Sequence, residues 1–187
     1  MRRLSLAALL VAAACAQPEI VEPPDPPRLV GEVSAIGRPL DLEVEGRGTP
    51  IRLQGVTGRV TAVCVLGSGG GAPATGAGGG GGAEAAEPPG AGTLVPEADQ
   101  VLRACEKTAA RLADRIAVVG LTTDATLDLD RLPLRTFRDP QGEALRESLD
   151  LEPRSQVILA DQQGRVAEVI GAGELERLET AAARLVR

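Results

Sequence analysis

Histidine, tryptophan and tyrosine are missing from these 187 residues, and Phe137 is the only aromatic side chain. Without imidazole the chain has neither the commonest general base near neutral pH nor the commonest nitrogen ligand for metals. Ser–His–Asp and Cys–His nucleophile machinery is therefore excluded. Without aromatic rings there is no platform on which bases or sugars stack. The core has to be assembled from Leu, Val, Ile and Ala. Positive charge is the scarcer sign: 20 Lys and Arg face 26 Asp and Glu, a net charge of −6. That balance argues against a nucleic-acid partner. Cysteine is limited to Cys15, Cys64 and Cys105.

What is present begins with an export signal. Met1-Arg2-Arg3 gives a positive start, residues 4–11 (LSLAALLV) an apolar run, and Ala12-Ala13-Ala14 the small residues a signal peptidase needs. The run is too short to cross a bilayer. A cysteine directly after those small residues resembles the lipobox of bacterial lipoproteins, with Ala12 where Leu is usual and Val11 one place further back. The resemblance implies a signal over residues 1–14 and acylation at Cys15. The several acyl chains would anchor more firmly than the single chain that binds only marginally. Ordinary secretion with a free Cys15 is the alternative. Loss of Arg2 and Arg3 with the signal would take the net charge two further, to −8.

The segment AQPEIVEPPDPP at 16–27 is acidic and rich in proline, so it cannot form a helix or pack a core. Residues 15–28 read as a tether between membrane and domain. Ala16-Gln17 after the cysteine, in place of aspartate, implies outer-membrane sorting by the rule for enteric lipoproteins. A periplasm-facing anchor in the inner membrane is the other placement in the cell envelope.

Residues 29–187 are expected to form one domain. In the stretch DLEVEGRGTPIRLQ from Asp41, apolar alternation at Leu42, Val44, Ile51 and Leu53 around Gly-Arg-Gly predicts a hairpin. The continuous apolar run 60–66 predicts a strand covered on both faces. Residues 67–92 are dominated by Gly, Ala and Pro and read as a disordered surface insertion. A helix is predicted from Pro96, with Val101, Leu102, Cys105, Ala109, Leu112 and Ile116 on one stripe. Then come a strand at 116–121, a short helix at 142–149, a hairpin of 156–160 with 165–170, and an amphipathic helix at 174–186. That order describes a mixed α/β sandwich.

Four stretches resemble the thioredoxin-like redoxins of bacterial envelopes, a group that includes membrane-tethered cytochrome-maturation thioredoxins and peroxiredoxins. They are DLEVEGRGTPIRLQGVTGRVTAVCVL with Gly58-Arg59, RIAVVGLTTD ending in Asp124, PLRTFRDPQGEALRESLDL with Asp139 to Gly142, and VILADQQGRVAEVIG with Asp161 and Gly164. The resemblance implies a thioredoxin-like sandwich, a mixed central sheet with flanking helices. The chain departs from the family's redox motif. Trp-Cys-x-x-Cys belongs at the start of the helix, where backbone amides and the helix dipole favour a thiolate. Its first cysteine would fall near Gly70, inside the glycine-rich stretch. The lone thiolate of peroxiredoxins is missing for the same reason. The family's cis-proline position falls on Ser155, with Pro153 two residues early. The copper-delivering branch needs two loop cysteines and a distal histidine, which this chain lacks.

Cys64 in a buried strand and Cys105 on a buried helix stripe are expected to act as small apolar side chains. A structural disulfide between them and an atypical reactive dithiol are the open alternatives. Asp124, Asp128 and Asp130 read as a solvated loop, since the glycine and closing glutamate of a calcium loop are absent. No metal or cofactor is expected. The leading expectation is a lipid-anchored envelope protein whose thioredoxin-like domain has lost its redox motif and acts as a binding or assembly module for an envelope protein partner. The alternative is a thiol–disulfide oxidoreductase or peroxiredoxin-like enzyme with Cys64 or Cys105 as its catalytic residue.

Overall fold

The computed structural model describes residues 34–67 and 94–187. The signal at 1–14, Cys15, the tether at 15–28 and all but the first residue of the 67–92 insertion lie outside them. The alternation after Asp41 builds β1 (Asp41–Gly46) and β2 (Thr49–Gln54), antiparallel with Leu42 opposite Leu53 and Val44 opposite Ile51. Leu42, Val44 and Leu53 are buried while Glu43 and Arg52 between them are exposed. Arg47 and Gly48 both take positive φ, the geometry a tight hairpin turn demands.

The continuous apolar run becomes β3 (Val60–Leu66), buried at every residue. It lies between β4 (Ile116–Thr122), which runs parallel to it, and β6 (Gln156–Ala160), which runs antiparallel. With β5 (Thr136–Arg138) and β7 (Val166–Gly171) the sheet has seven strands in the order β2-β1-β5-β4-β3-β6-β7. Alternation along β3 divides the core between the two faces. Val63 and Val65 join Leu121, Phe137, Ile158, Leu145 and Leu149 on one side. Val60, Ala62, Cys64 and Leu66 join Val157 and Leu159 on the other, beneath α1 (Pro96–Leu112) and α2 (Leu178–Leu185). Each fully buried Leu or Val contributes about 1.5–3 kcal/mol, so a core almost without aromatics is sufficient.

The structure corrects several boundaries. The helical stripe ends at Leu112, and Ile116 opens β4. The chain turns at Ala113, whose φ of 40° and ψ of −118° cannot continue a helix. In the predicted helix at 142–149, Glu143 and Ala144 are α-helical and run into a π-helical turn, Leu145–Leu149. The Asp139 carboxylate accepts the N–H groups of Ala144 and Leu145, and Asp150 closes the turn in the left-handed region. The last helix is broken: Ala172–Arg177 is 3₁₀, with Glu174 at a non-helical φ of −125°, before α2 begins. Strand β5 has only three residues, too few for an alternation to show.

Candidate functional site

In the redoxins whose motifs this sequence resembles, the redox position falls between the strand corresponding to β3 and the helix corresponding to α1. At the end of β3 the Leu66 carbonyl accepts from the Thr122 hydroxyl at 3.4 Å and from the Thr123 N–H at 3.5 Å. Gly67 is buried, although the composition of its neighbourhood assigns it to the insertion. A methyl group on it would lie 2.8 Å from the Ser155 nitrogen and 2.9 Å from the Arg154 carbonyl carbon, so only glycine fits. The first residue of the predicted insertion therefore belongs to the packed domain, wedged against the loop that precedes β6.

That loop is held by an amide. Gln156 is completely buried, donates from Nε2 to the Glu152 carbonyl at 2.8 Å and accepts from Arg154 Nε at 3.5 Å. All described peptide bonds are trans, including the one before Pro153. The helix α1 starts from Val95, which has no side-chain acceptor, with Pro96 in its first turn. Glu97 and Asp99 also lie in that turn. These carboxylates oppose, at this end of the helix, the positive potential that stabilises a thiolate. Main chain, an amide, hydroxyl groups, the Arg154 guanidinium and two carboxylates thus form the described part of this edge, without a thiol.

The two cysteines of the domain sit elsewhere and are bonded to each other. Cys64 on β3 and Cys105 on α1 form a disulfide with Cα atoms 6.6 Å apart, across a sequence separation of 41. Of the three readings of these residues, separate apolar thiols gives way to a bridge, because α1 crosses β3 with both side chains in the same buried layer. The residues are 0% and 1% exposed. Cys105 comes nine residues after Pro96, about 13 Å along the helix axis, beyond the first turn where the dipole acts on a thiol.

The three aspartates after β4 are each engaged by neighbouring groups. Asp124 Oδ1 accepts from the Thr126 hydroxyl and N–H, both at 2.7 Å, and these bonds hold its carboxyl below the usual range. Asp128 accepts from the Asp130 N–H and pairs with Arg131, while Asp130 pairs with Arg47. Among the described residues no group of three His, Cys, Asp or Glu is placed to hold a metal ion. Nor is any helix among them long and apolar enough to cross a membrane.

Comparison of the whole chain with solved structures settles the architecture. A provisionally assigned thiol:disulfide interchange protein DsbE from Chlorobium tepidum superposes with a TM-score of 0.55 at 16% identity, over 81% of this chain and 98% of that one. The fold is thioredoxin-like. The thioredoxin domain of a thiol-disulfide oxidoreductase from Bacteroides vulgatus matches this thioredoxin-like fold with a TM-score of 0.52 at 13% identity, covering 82% and 97% of the two chains. The pneumococcal exposed lipoprotein thioredoxin Etrx1 from Streptococcus pneumoniae does so with a TM-score of 0.51 at 15% identity, over 78% and 99%. No protein-family model matches the sequence, and no curated protein does. At these identities the likeness is one of fold.

Proposed function

We propose that the chain is a lipid-anchored lipoprotein of the bacterial cell envelope whose thioredoxin-like domain is a binding or assembly module and not a thiol–disulfide exchange catalyst. One observation carries the reading: the two cysteines of the domain are joined in a buried bridge halfway along α1. An attacking thiolate needs exposure and a stabilising positive environment. The bridge offers neither. The partner would be another envelope protein, held near the membrane by the acyl chains on Cys15. The sequence of residues 1–15 supports that anchor.

The test is insulin reduction by a dithiol in the presence of the full chain, together with peroxide consumption. Neither rate should exceed the background. The second reading, an oxidoreductase that cycles Cys64 and Cys105, draws on the thiol-disulfide oxidoreductases among the fold neighbours. It requires catalysis in at least one assay, abolished by Cys105→Ala. For the anchor, metabolic labelling with a fatty acid should mark the wild-type chain and not Cys15→Ser. Labelling of both would refute acylation at that residue.

A further inference from the structure

We propose that the Cys64–Cys105 bridge is the latch that docks α1 on the sheet, so that the domain completes its fold only after oxidation. The inference goes beyond the binding-module reading and does not depend on it. It rests on how few large apolar side chains this helix buries completely. The fully buried residues of α1 are Ala98, Val101, Leu102, Cys105 and Thr108, so Val101 and Leu102 are its only large aliphatic side chains buried completely, with Leu112 packed more loosely against the same layer. The Thr108 hydroxyl donates to the Ala104 carbonyl within the same helix.

The ends of α1 supply little more. Val95 has no side chain with which to cap the first N–H groups, and Ala113 closes the other end in a conformation unfavourable for a residue with a Cβ. The Arg111–Glu179 pair links α1 to α2, but both side chains are more than a third exposed and solvent screens them. The Asp99–Arg103 pair stays within α1.

Against this, the bridge joins the middle of the helix to the middle of the most enclosed strand. Cys64 is held between Gly120 of β4 and Val157 of β6. Contacts separated by 41 residues must offset the entropy of closing the intervening chain. The covalent bond removes that burden once it forms. The oxidant required is a protein disulfide. One cysteine thiolate attacks it and displaces the first of its sulfurs as a thiolate. The second cysteine, as thiolate, then attacks the mixed disulfide. The Cys64–Cys105 bond forms, the oxidant leaves as a dithiol, and the two protons released by the cysteines end on it.

Hydrogen exchange read by mass spectrometry on the full chain tests this. Three states are compared: the oxidised protein, the protein reduced under denaturant and returned to buffer with reductant, and Cys64→Val/Cys105→Ala, which fills the space without a bond. Peptides from α1 should exchange at least tenfold faster in the second and third states than in the first. Peptides covering β6 and β7 should keep their protection. Equal protection of α1 in all three states would overturn the proposal. So would loss of protection throughout, which would make the bridge a support of the whole fold and not of helix docking.

Discussion

Cys64, the fifth residue of β3, and Cys105, the tenth residue of α1, are bonded through sulfur beneath the helix, each with its neighbours in the same apolar layer. The relationship differs from that of a dithiol at a helix N-terminus, where backbone amides favour a thiolate. Both atoms are withdrawn from solvent, and the helix N-terminus lies far from them. The bond ties α1 to the sheet within that layer.

Reduction of the bridge should lower stability by about 4 kcal/mol, the loop-closure figure for a separation near 41 residues. Urea denaturation with and without reductant measures the difference. The dependence on urea should also be shallower for the reduced chain, because an undocked α1 leaves less surface to expose.

Gly67→Ala should destabilise the domain by about 1–3 kcal/mol, the usual cost of forcing extra volume into a packed site. The added methyl meets main-chain atoms of Arg154 and Ser155, which cannot rotate away. A thermal melt of the variant checks it. Unchanged stability would mean that the end of β3 and the loop before β6 do not abut.

Ala113→Gly should act in the opposite direction. The φ of 40° with ψ of −118° at Ala113 lies in a region that a Cβ disfavours. Relief of that strain outweighs the greater freedom of glycine in the unfolded chain. A gain of about 1 kcal/mol is expected, a rise in Tm of about 2–5 °C.

Asp124 gives a pH dependence of defined sign. The Thr126 hydroxyl first, and then the Thr126 N–H, lower its carboxyl in the folded state. The stabilisation is therefore complete above the unfolded value of about 3.9 and is lost as pH falls through the lower folded value. At pH near 7, Asp124→Asn should cost about 0.5–1 kcal/mol, a modest figure because the group is partly exposed. The two proteins should converge in urea titrations carried below the folded value.

Much of the fold was legible from the sequence, for reasons visible in particular residues. The unbroken apolar run of β3 states that both faces are covered, and the alternation at Leu42, Val44 and Leu53 gives the hairpin and its buried side. Strand β5 was not legible, because three residues carry no period. The break at Glu174 was hidden because Leu175, Leu178, Ala182 and Leu185 keep an apolar side through both the 3₁₀ turn and α2. Gly67 was masked by the glycines that follow it. Its packing role depends on Arg154 and Ser155, which are distant in sequence.

The site was legible as a departure from the redox motif at the start of α1, since that is a matter of which residues stand there. The bridge was not. Whether two buried cysteines bond depends on where a helix crosses a strand, and the spacing of 41 residues carries no such information.

A structural Cys64–Cys105 bridge, as proposed, does not exchange with small thiols in the folded chain. Incubation of the native full chain with reduced glutathione, followed by acid quenching, alkylation of free thiols and intact-mass measurement, tests it most directly. Cys64 and Cys105 should take up no label until denaturant and a strong reductant are added together. A mixed disulfide with glutathione, or labelling of either residue within minutes under native conditions, would contradict it.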